Sequence, residues 1–185
     1  MASAKDVARV IEYLCLQAEG TPAEKTRLNK LLYFAQGHAL AVLGRRLFSN
    51  EIDAWDHGPV VAVVYSNYDR IVEDAEQIGL SGISLAPEEI DLIMDVWAQY
   101  RGYTAKELVS MTHLPGTPWS ETYKPNVRNA HIPETLMRQY FERHENGLSQ
   151  GVRGLNALPA VDALPAEDYD PDEDSVWEAL LHAAK

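Results

Sequence analysis

Two consecutive stretches near the start of the chain repeat apolar residues at spacings of three and four, and this helical period constrains the fold most. Residues 4–19 are predicted to form a first helix that ends at Gly20. A second helix is predicted from the capping signals Thr21 and Pro22 to Gly44. Because a short link joins the two helices, we expect an antiparallel pair and a mainly α protein.

The apolar period changes after Gly44. Residues 47–48 and residues 51–57 read as short strands on either side of a turn at residues 49–50, which predicts a small β-hairpin inserted after the second helix. Gly58 breaks the second strand, and Pro59 is placed to begin another helix. The valines at 60–64 leave a strand open as the alternative for this last segment.

The next part of the chain contains more helices. Residues 69–86 carry only scattered apolar residues and are predicted to be loop-like. Helices are predicted to begin at Pro87, at the Thr104 capping box and at Pro133, and Pro118 is predicted to open a short turn. We expect the apolar stripe of the Pro87 helix at Ile90, Ile93, Met94, Trp97 and Tyr100, and Trp119 in the core. Residues 1–147 are therefore expected to form a single compact helical domain.

The composition shifts beyond residue 147. Residues 148–166 are rich in Gly, Pro and small apolar residues, which is typical of a linker, and six of the eight residues at 167–174 are acidic. A capping signal at Ser175 precedes a short amphipathic helix. Two interpretations of this C-terminal tail, residues 148–185, stay open: it docks on another protein, or it packs on its own domain as a terminal helix.

Charge and composition exclude several classes of protein. The chain has 28 acidic and 16 basic residues and a formal net charge of −12, which argues against direct binding of nucleic acid. It contains no apolar run long enough to span a membrane and no leader core, so we expect a cytoplasmic protein. The single cysteine, Cys15, rules out an internal disulfide and a cysteine-based zinc site, and it is expected to be a small buried residue.

No established catalytic motif is present. The chain lacks glycine-rich phosphate-binding loops, the helical zinc-protease spacing of histidines and the nucleophile elbow. Asp53, Asp56 and His57 could supply an acid–base pair, but carboxylates are so numerous here that such proximity is expected by chance. We therefore predict no catalytic residue, no metal and no cofactor.

Three stretches together resemble one family. Residues 30–37 are similar to its first motif, and residues 51–60 followed by Tyr65 are similar to its most diagnostic one. A third similarity covers residues 105–108, 112–113 and 118–119. In this order and spacing the stretches resemble the Panacea domain of SocA-like antitoxins, over roughly residues 5–143.

The resemblance implies an antitoxin of a toxin–antitoxin system. Its partner would be a cognate toxin protein encoded next to it. Many toxins of this kind block translation. The antitoxin would neutralise its toxin by binding it directly. The alternative is an adaptor that delivers the toxin to a protease. A third hypothesis is a phage-associated enzyme of unknown activity that uses Asp53, Asp56 and His57. A homo-oligomer is also compatible with the sequence.

Aromatic and apolar residues at two places are the candidates for toxin binding, since such side chains supply much of the energy of protein interfaces. Trp55 and His57 have a structural interpretation as well, as a packed strand residue and a hydrogen-bonding turn residue. The candidates on both segments are Trp55, His57, Tyr65, Tyr68, Tyr169, Trp177, Leu180 and Leu181.

Overall fold

The computed structural model describes residues 2–127 and 130–144, which form eight helices and one two-stranded antiparallel sheet. The predicted mainly α fold with a small hairpin after the second helix is confirmed. In chain order the elements are α1 (Ala4–Glu19), α2 (Lys25–Val42), β1 (Asp53–Trp55), β2 (Gly58–Val60), α3 (Ala62–Tyr65), α4 (Tyr68–Ile78), α5 (Pro87–Tyr100), α6 (Ala105–His113), α7 (Pro118–Thr122) and α8 (Glu134–His144).

Helix α1 has the predicted bounds. The Ser3 hydroxyl accepts the backbone N–H of Asp6 at 3.2 Å and caps the first turn. Gly20 ends the helix with φ of 74°, a left-handed conformation that favours glycine. Cys15 is fully buried, as expected, and its sulfur accepts the Trp97 indole N–H at 3.4 Å.

Helix α2 is the centre of the domain. Every residue from Thr26 to Leu40 is buried, so the helix is surrounded by its neighbours rather than packed by one apolar stripe. Gly37 allows α8 to approach, because a Cβ atom there would lie 2.1 Å from the Phe141 ring.

The predicted start of α2 at Thr21 and Pro22 is wrong, since the helix begins at Lys25. Ala23 explains the difference. Its N–H donates to the Glu12 carboxyl group at 2.9 Å, and its carbonyl oxygen accepts the Tyr68 hydroxyl at 2.6 Å. These tertiary hydrogen bonds hold the segment outside the helix.

The hairpin exists, but its strands are not those predicted. Strand β1 pairs with β2, with Trp55 opposite Gly58, so the turn lies at residues 56–57 rather than 49–50. The side-chain oxygen of Gln36 accepts the N–H groups of Leu47 and Phe48 at 2.9 and 3.1 Å. Residues 47–48 are therefore bonded to α2 instead of to a neighbouring hairpin strand.

The helix predicted to begin at Pro59 is wrong, because Gly58 and Pro59 belong to strand β2, which pairs with β1. The strand alternative holds for Gly58–Val60, and a short helix, α3, follows at Ala62. The loop predicted at residues 69–86 is wrong, because α4 occupies Tyr68–Ile78. Only Ile71 and Ala75 of this helix are buried. The sequence therefore shows only a weak helical repeat of apolar residues in this segment.

The later helices begin close to the predicted residues. Thr104 and Glu107 form the expected capping box, Pro118 opens α7, and α8 begins at Glu134. Trp119 lies in the core, with 6% of its surface exposed. The predicted stripe of α5 is partly wrong: Ile90 and Met94 are exposed, and the helix buries residues that the prediction omitted, Glu89, Leu92 and Val96.

Two sequence-based expectations concern other parts of the molecule. Among the residues that the structure describes, no helix is both long enough and apolar enough to cross a membrane. The predicted linker, acidic run and terminal helix of residues 148–185 lie outside the described residues.

Candidate protein-binding site

The turn of the hairpin stands where α2, α6 and α7 meet, and Gly58 makes its close packing possible. Its φ is 97°, and a Cβ atom there would lie 2.7 Å from Cε of Lys30 and 2.8 Å from Oγ1 of Thr112. Glycine is required for two reasons, the left-handed backbone and the lack of space. This explains why the Gly-Pro pair belongs to the distinctive segment.

Side chains of α6 and α7 bind the turn from one side. The Trp119 indole N–H donates to the carbonyl oxygen of Trp55 at 2.8 Å, and Nε2 of His113 lies 3.1 Å from the carbonyl oxygen of Asp56. The Tyr123 hydroxyl donates to the Asp56 carboxylate at 2.7 Å. The ring of Trp119 stacks on Tyr123 and contacts His113, so one aromatic cluster carries all three contacts.

The electrostatics of this cluster follow from the same contacts. Burial and the hydrogen bond to the Asp56 carboxylate raise the pKa of Tyr123 to about 12. The phenol therefore stays protonated at neutral pH and remains a donor.

Helix α2 holds the second strand of the hairpin. The side-chain oxygen of Asn29 accepts the backbone N–H of Val61 at 2.9 Å. The ammonium group of Lys30 donates to the carbonyl oxygen of Pro59 at 3.2 Å. Both polar side chains are buried in a helix that is otherwise largely apolar, and their contacts fix β2 against it.

The other edge of the hairpin is held by the segment before α8. Ala54 donates its N–H to Ala130, and Ile132 donates to Ile52, each at 2.8 Å. Between these bonds Nδ1 of His131 lies 2.5 Å from the Asp53 carboxylate. The hairpin is thus bound on three sides, and the geometry of its turn is preorganised.

A small pocket lies between the turn and the first turns of α2. Trp55 and Tyr65 form its aromatic wall, with ring centroids 5.1 Å apart in an edge-to-face arrangement. The ammonium group of Lys25 lies over Tyr65, 4.9 Å from the ring centroid. The lining residues are Thr26, Asn29, Lys30, Trp55, Asp56, His57, Val60 and Tyr65.

The structure brings four predicted binding residues into this region. Trp55 and His57 are partly buried beside the turn, and Tyr65 is 5% exposed. Tyr68 is partly buried, and its hydroxyl donates to Ala23. The other four predicted residues lie outside the described part of the chain: Tyr169, Trp177, Leu180 and Leu181.

Sequence reasoning missed the contribution of α2 to the pocket. Thr26, Asn29 and Lys30 were assigned no role in binding, although they line the pocket. A signal was available, since their spacing places polar side chains one turn apart at the start of a largely apolar helix. His113 and Trp119 lie in the third family motif, but nothing in the sequence indicates that they and Tyr123 contact the hairpin, because the contact forms only in three dimensions.

The carboxylates of the hairpin are engaged with different partners. Asp53 is paired with His131, and Asp56 accepts the Tyr123 hydroxyl. These contacts give both carboxylates a structural role. Within the described residues no group of three or more His, Cys, Asp or Glu side chains could hold a metal ion.

The described residues form a helical domain in which a hairpin, held by hydrogen bonds from its neighbours, lies beside a small aromatic pocket. The sequence matches the family described as "Antitoxin SocA-like, Panacea domain" over residues 28–120, which contain the hairpin and most of its supports. The chain therefore belongs to the SocA-like Panacea family, as its motifs indicated.

A curated relative agrees with this assignment. The chain is 32% identical over 127 residues to the protein named "Antitoxin SocA" from Caulobacter vibrioides (strain NA1000 / CB15N), an alignment that covers 60% of this chain and 68% of the relative. No solved structure matches the chain.

Proposed function

We propose that this protein is an antitoxin that neutralises a cognate protein toxin by binding it directly through the hairpin turn and the pocket beside it. Membership of the SocA-like Panacea family carries this proposal, because the matched residues include the turn, β2 and the helices that clamp them. The relative named "Antitoxin SocA" supports the same role.

The geometry of the turn supports a binding role. Trp55 and His57 are partly exposed on a turn whose backbone is held by hydrogen bonds from neighbouring helices. A surface that is already ordered loses little conformational entropy on binding, and a partly exposed Trp can supply much of the binding energy.

The charge of the chain supports a toxin with a basic surface. A formal net charge of −12 favours association with a positively charged partner. Toxins that act on translation contact RNA through basic surfaces, and an acidic partner could occupy such a surface. We infer that the toxin belongs to this translation-targeting class and that neutralisation blocks its access to RNA.

Co-expression with the product of the adjacent gene tests the proposal. The neighbour alone should arrest growth, and this protein should restore growth and co-purify with it. Trp55→Ala should weaken toxin binding at least tenfold, as expected for a central aromatic contact. Met94→Ala, on the exposed face of α5, is the matched control and should leave binding unchanged.

Three outcomes would contradict the proposal. A harmless neighbour, or equal loss of binding in the two variants, would remove its basis. If toxin levels fall when this protein is present and recover when a protease is deleted, the protein is an adaptor for degradation instead of a blocking partner.

A catalytic role is tested separately. We infer that the protein is not an enzyme, and the engagement of Asp53 and Asp56 in structural contacts supports this. The triple replacement Asp53→Asn, Asp56→Asn and His57→Ala, with the fold verified by circular dichroism, should still neutralise the toxin, though more weakly because His57 lies in the proposed surface. Complete loss of neutralisation without loss of toxin binding would point to catalysis.

A further inference from the structure

The pocket beside the hairpin turn has positive charge at its floor and next to it. Lys30 lines the floor and is 1% exposed, and its ammonium group donates to the carbonyl oxygen of Pro59 at 3.2 Å. Lys25 does not line the pocket but lies next to it, with its ammonium group over the rings of Tyr65 and Tyr68. The two lysines approach the pocket from neighbouring turns of α2.

The backbone of α2 adds to this positive field. The helix begins at Lys25, has no acidic residue in its first turn, and receives no side-chain hydrogen bond from its cap residue, Glu24. The N-terminus of an 18-residue helix carries a partial positive charge. This partial charge has the same sign as the two ammonium groups, while the exposed carboxylate of Glu24 partly offsets it.

The carboxylates of the hairpin are engaged elsewhere. Asp56 accepts the Tyr123 hydroxyl at 2.7 Å, and Asp53 lies against His131. An acidic group with an aromatic neighbour is therefore complementary to the pocket, because Trp55 and Tyr65 form the wall and the lysines supply the charge.

The same chain contains a segment of this chemistry. Residues 167–174 read Glu-Asp-Tyr-Asp-Pro-Asp-Glu-Asp, so six acids surround the aromatic Tyr169. Residues 145–166 connect this segment to the end of α8 and can span about 70 Å when extended. A domain of this size has a radius of gyration of about 15 Å, so the connection reaches the pocket from any point on the surface.

We propose that the acidic segment 167–174 docks across the mouth of the pocket of its own chain. Its carboxylates would lie near Lys25, above the buried Lys30, and Tyr169 would contact the partly exposed ring of Trp55. A tethered segment has an effective concentration on the order of millimolar. A contact with an intrinsic dissociation constant below this concentration keeps the segment on the pocket in the free protein, and a partner that binds more tightly displaces it. This last step rests on the proposed function, whereas the docking itself does not.

Paramagnetic NMR on the full chain, without any toxin, tests the docking. A spin label is attached to the cysteine of Ser175→Cys, one residue beyond the acidic segment. The native Cys15 will not react, because burial raises the pKa of its thiol to about 11. The amide signal of Gly58 should lose intensity. That of Gly44, beyond the far end of α2 and about 21 Å along its axis from Lys30, should lose much less.

Charge variants supply the matched comparison. Replacing the six acids of 167–174 with their amides should restore the Gly58 signal, and so should raising the salt concentration. The control variant replaces four exposed acidic residues of α4 and α5 with amides and should leave the loss of Gly58 intensity unchanged. These residues are Glu73, Glu76, Asp91 and Asp95. Lys25→Gln should weaken the effect.

Each opposite result overturns the proposal. Full Gly58 intensity in the labelled protein means that the segment does not dock. An undiminished loss after removal of the six acids means that charge does not hold it there. Loss of Gly58 signal when labelled protein is mixed with unlabelled, isotope-enriched protein would assign the contact to a second copy of the chain. None of these results depends on the identity of a toxin.

Discussion

The indole nitrogen of Trp119 lies 2.8 Å from the carbonyl oxygen of Trp55 and donates a hydrogen bond to it. The two residues are far apart in sequence, and this bond links α7 to the last residue of β1. It orients the backbone immediately before the turn that we propose to contact the toxin.

Trp119→Phe should keep an aromatic ring in the core but leave the Trp55 carbonyl without its donor. We expect a loss of about 1 kcal/mol in the free energy of unfolding, measured by urea denaturation, because a hydrogen bond at a partly buried site contributes about 0.5–1.5 kcal/mol. Toxin binding should weaken as well. The matched control is Trp97→Phe, which removes an indole bond to Cys15 that lies away from the hairpin. Equal effects of the two variants on toxin affinity would refute the supporting role of Trp119.

Gly58→Ala should be strongly destabilising, because the new methyl group meets Lys30 and Thr112 within a left-handed turn. Gly116→Ala is the control, since Gly116 also has a positive φ, 81°, but no atom lies within 4 Å of the new Cβ position. Gly58→Ala should lower the free energy of unfolding by about 1–3 kcal/mol more than Gly116→Ala does. This difference measures the cost of the steric overlap at residue 58, because both variants place Ala at a positive φ. Equal losses would show that backbone strain accounts for the whole effect.

Glu12→Gln should change how stability depends on pH. Burial raises the pKa of Glu12 from 4.5 to about 7 in the folded protein. The native protein is therefore most stable relative to this variant below pH 4.5, and it loses that stability as the pH rises towards 7. Between pH 4.5 and pH 8 the native protein should lose about 3 kcal/mol of stability relative to the variant, since each pKa unit corresponds to about 1.4 kcal/mol.

The control for this pH effect is Glu19→Gln. The hydrogen bond from Arg27 lowers the pKa of Glu19, so this carboxylate stabilises the fold above its unfolded pKa. Its removal should lower stability at neutral pH, the opposite sign from Glu12→Gln. Thermal unfolding measured at several pH values separates the two, and a Glu12→Gln curve parallel to that of the native protein would contradict the burial argument.

Gly37→Ala should destabilise the contact of α2 with α8, since its methyl group would overlap the Phe141 ring. The higher helix propensity of Ala offsets about 1 kcal/mol, so a net loss of about 1–2 kcal/mol is expected. A smaller residue at 141 should relieve the overlap. Phe141→Leu and the double variant complete a cycle in which the combined loss is less than the sum of the single losses. Strict additivity would mean that the two residues do not clash.

Prediction from sequence succeeded where local signals were strong. The Ser3 and Gly20 boundaries of α1 and the capping box at Thr104 are formed by residues within a few positions of one another. The hairpin strands were misplaced, because Gln36, a residue of α2, takes the N–H groups of residues 47–48. Helix α4 was missed, since only two of its eleven residues are buried.

The candidate site divides in a similar way. Trp55 and His57 were singled out from the alternating run and the Gly-Pro break, and the structure places them beside the pocket. Lys30 lines the pocket only because the tertiary fold packs the hairpin against α2, and the sequence did not predict this packing. Trp119, which the sequence assigned only to the core, also binds the hairpin backbone. The binding roles of Tyr65 and Tyr68 stay predictions, and Tyr65 is largely buried.

The sequence by itself determined the helical class, most helix starts, the presence of a hairpin and the family, because these depend on short-range periodicity, capping and motif order. Only the tertiary structure decided which strands pair, where α2 begins and which side chains hold the turn. The physical reason is that buried backbone groups take whatever donors and acceptors lie nearest in space. For residues 23, 47–48 and 55 those partners are distant in the chain.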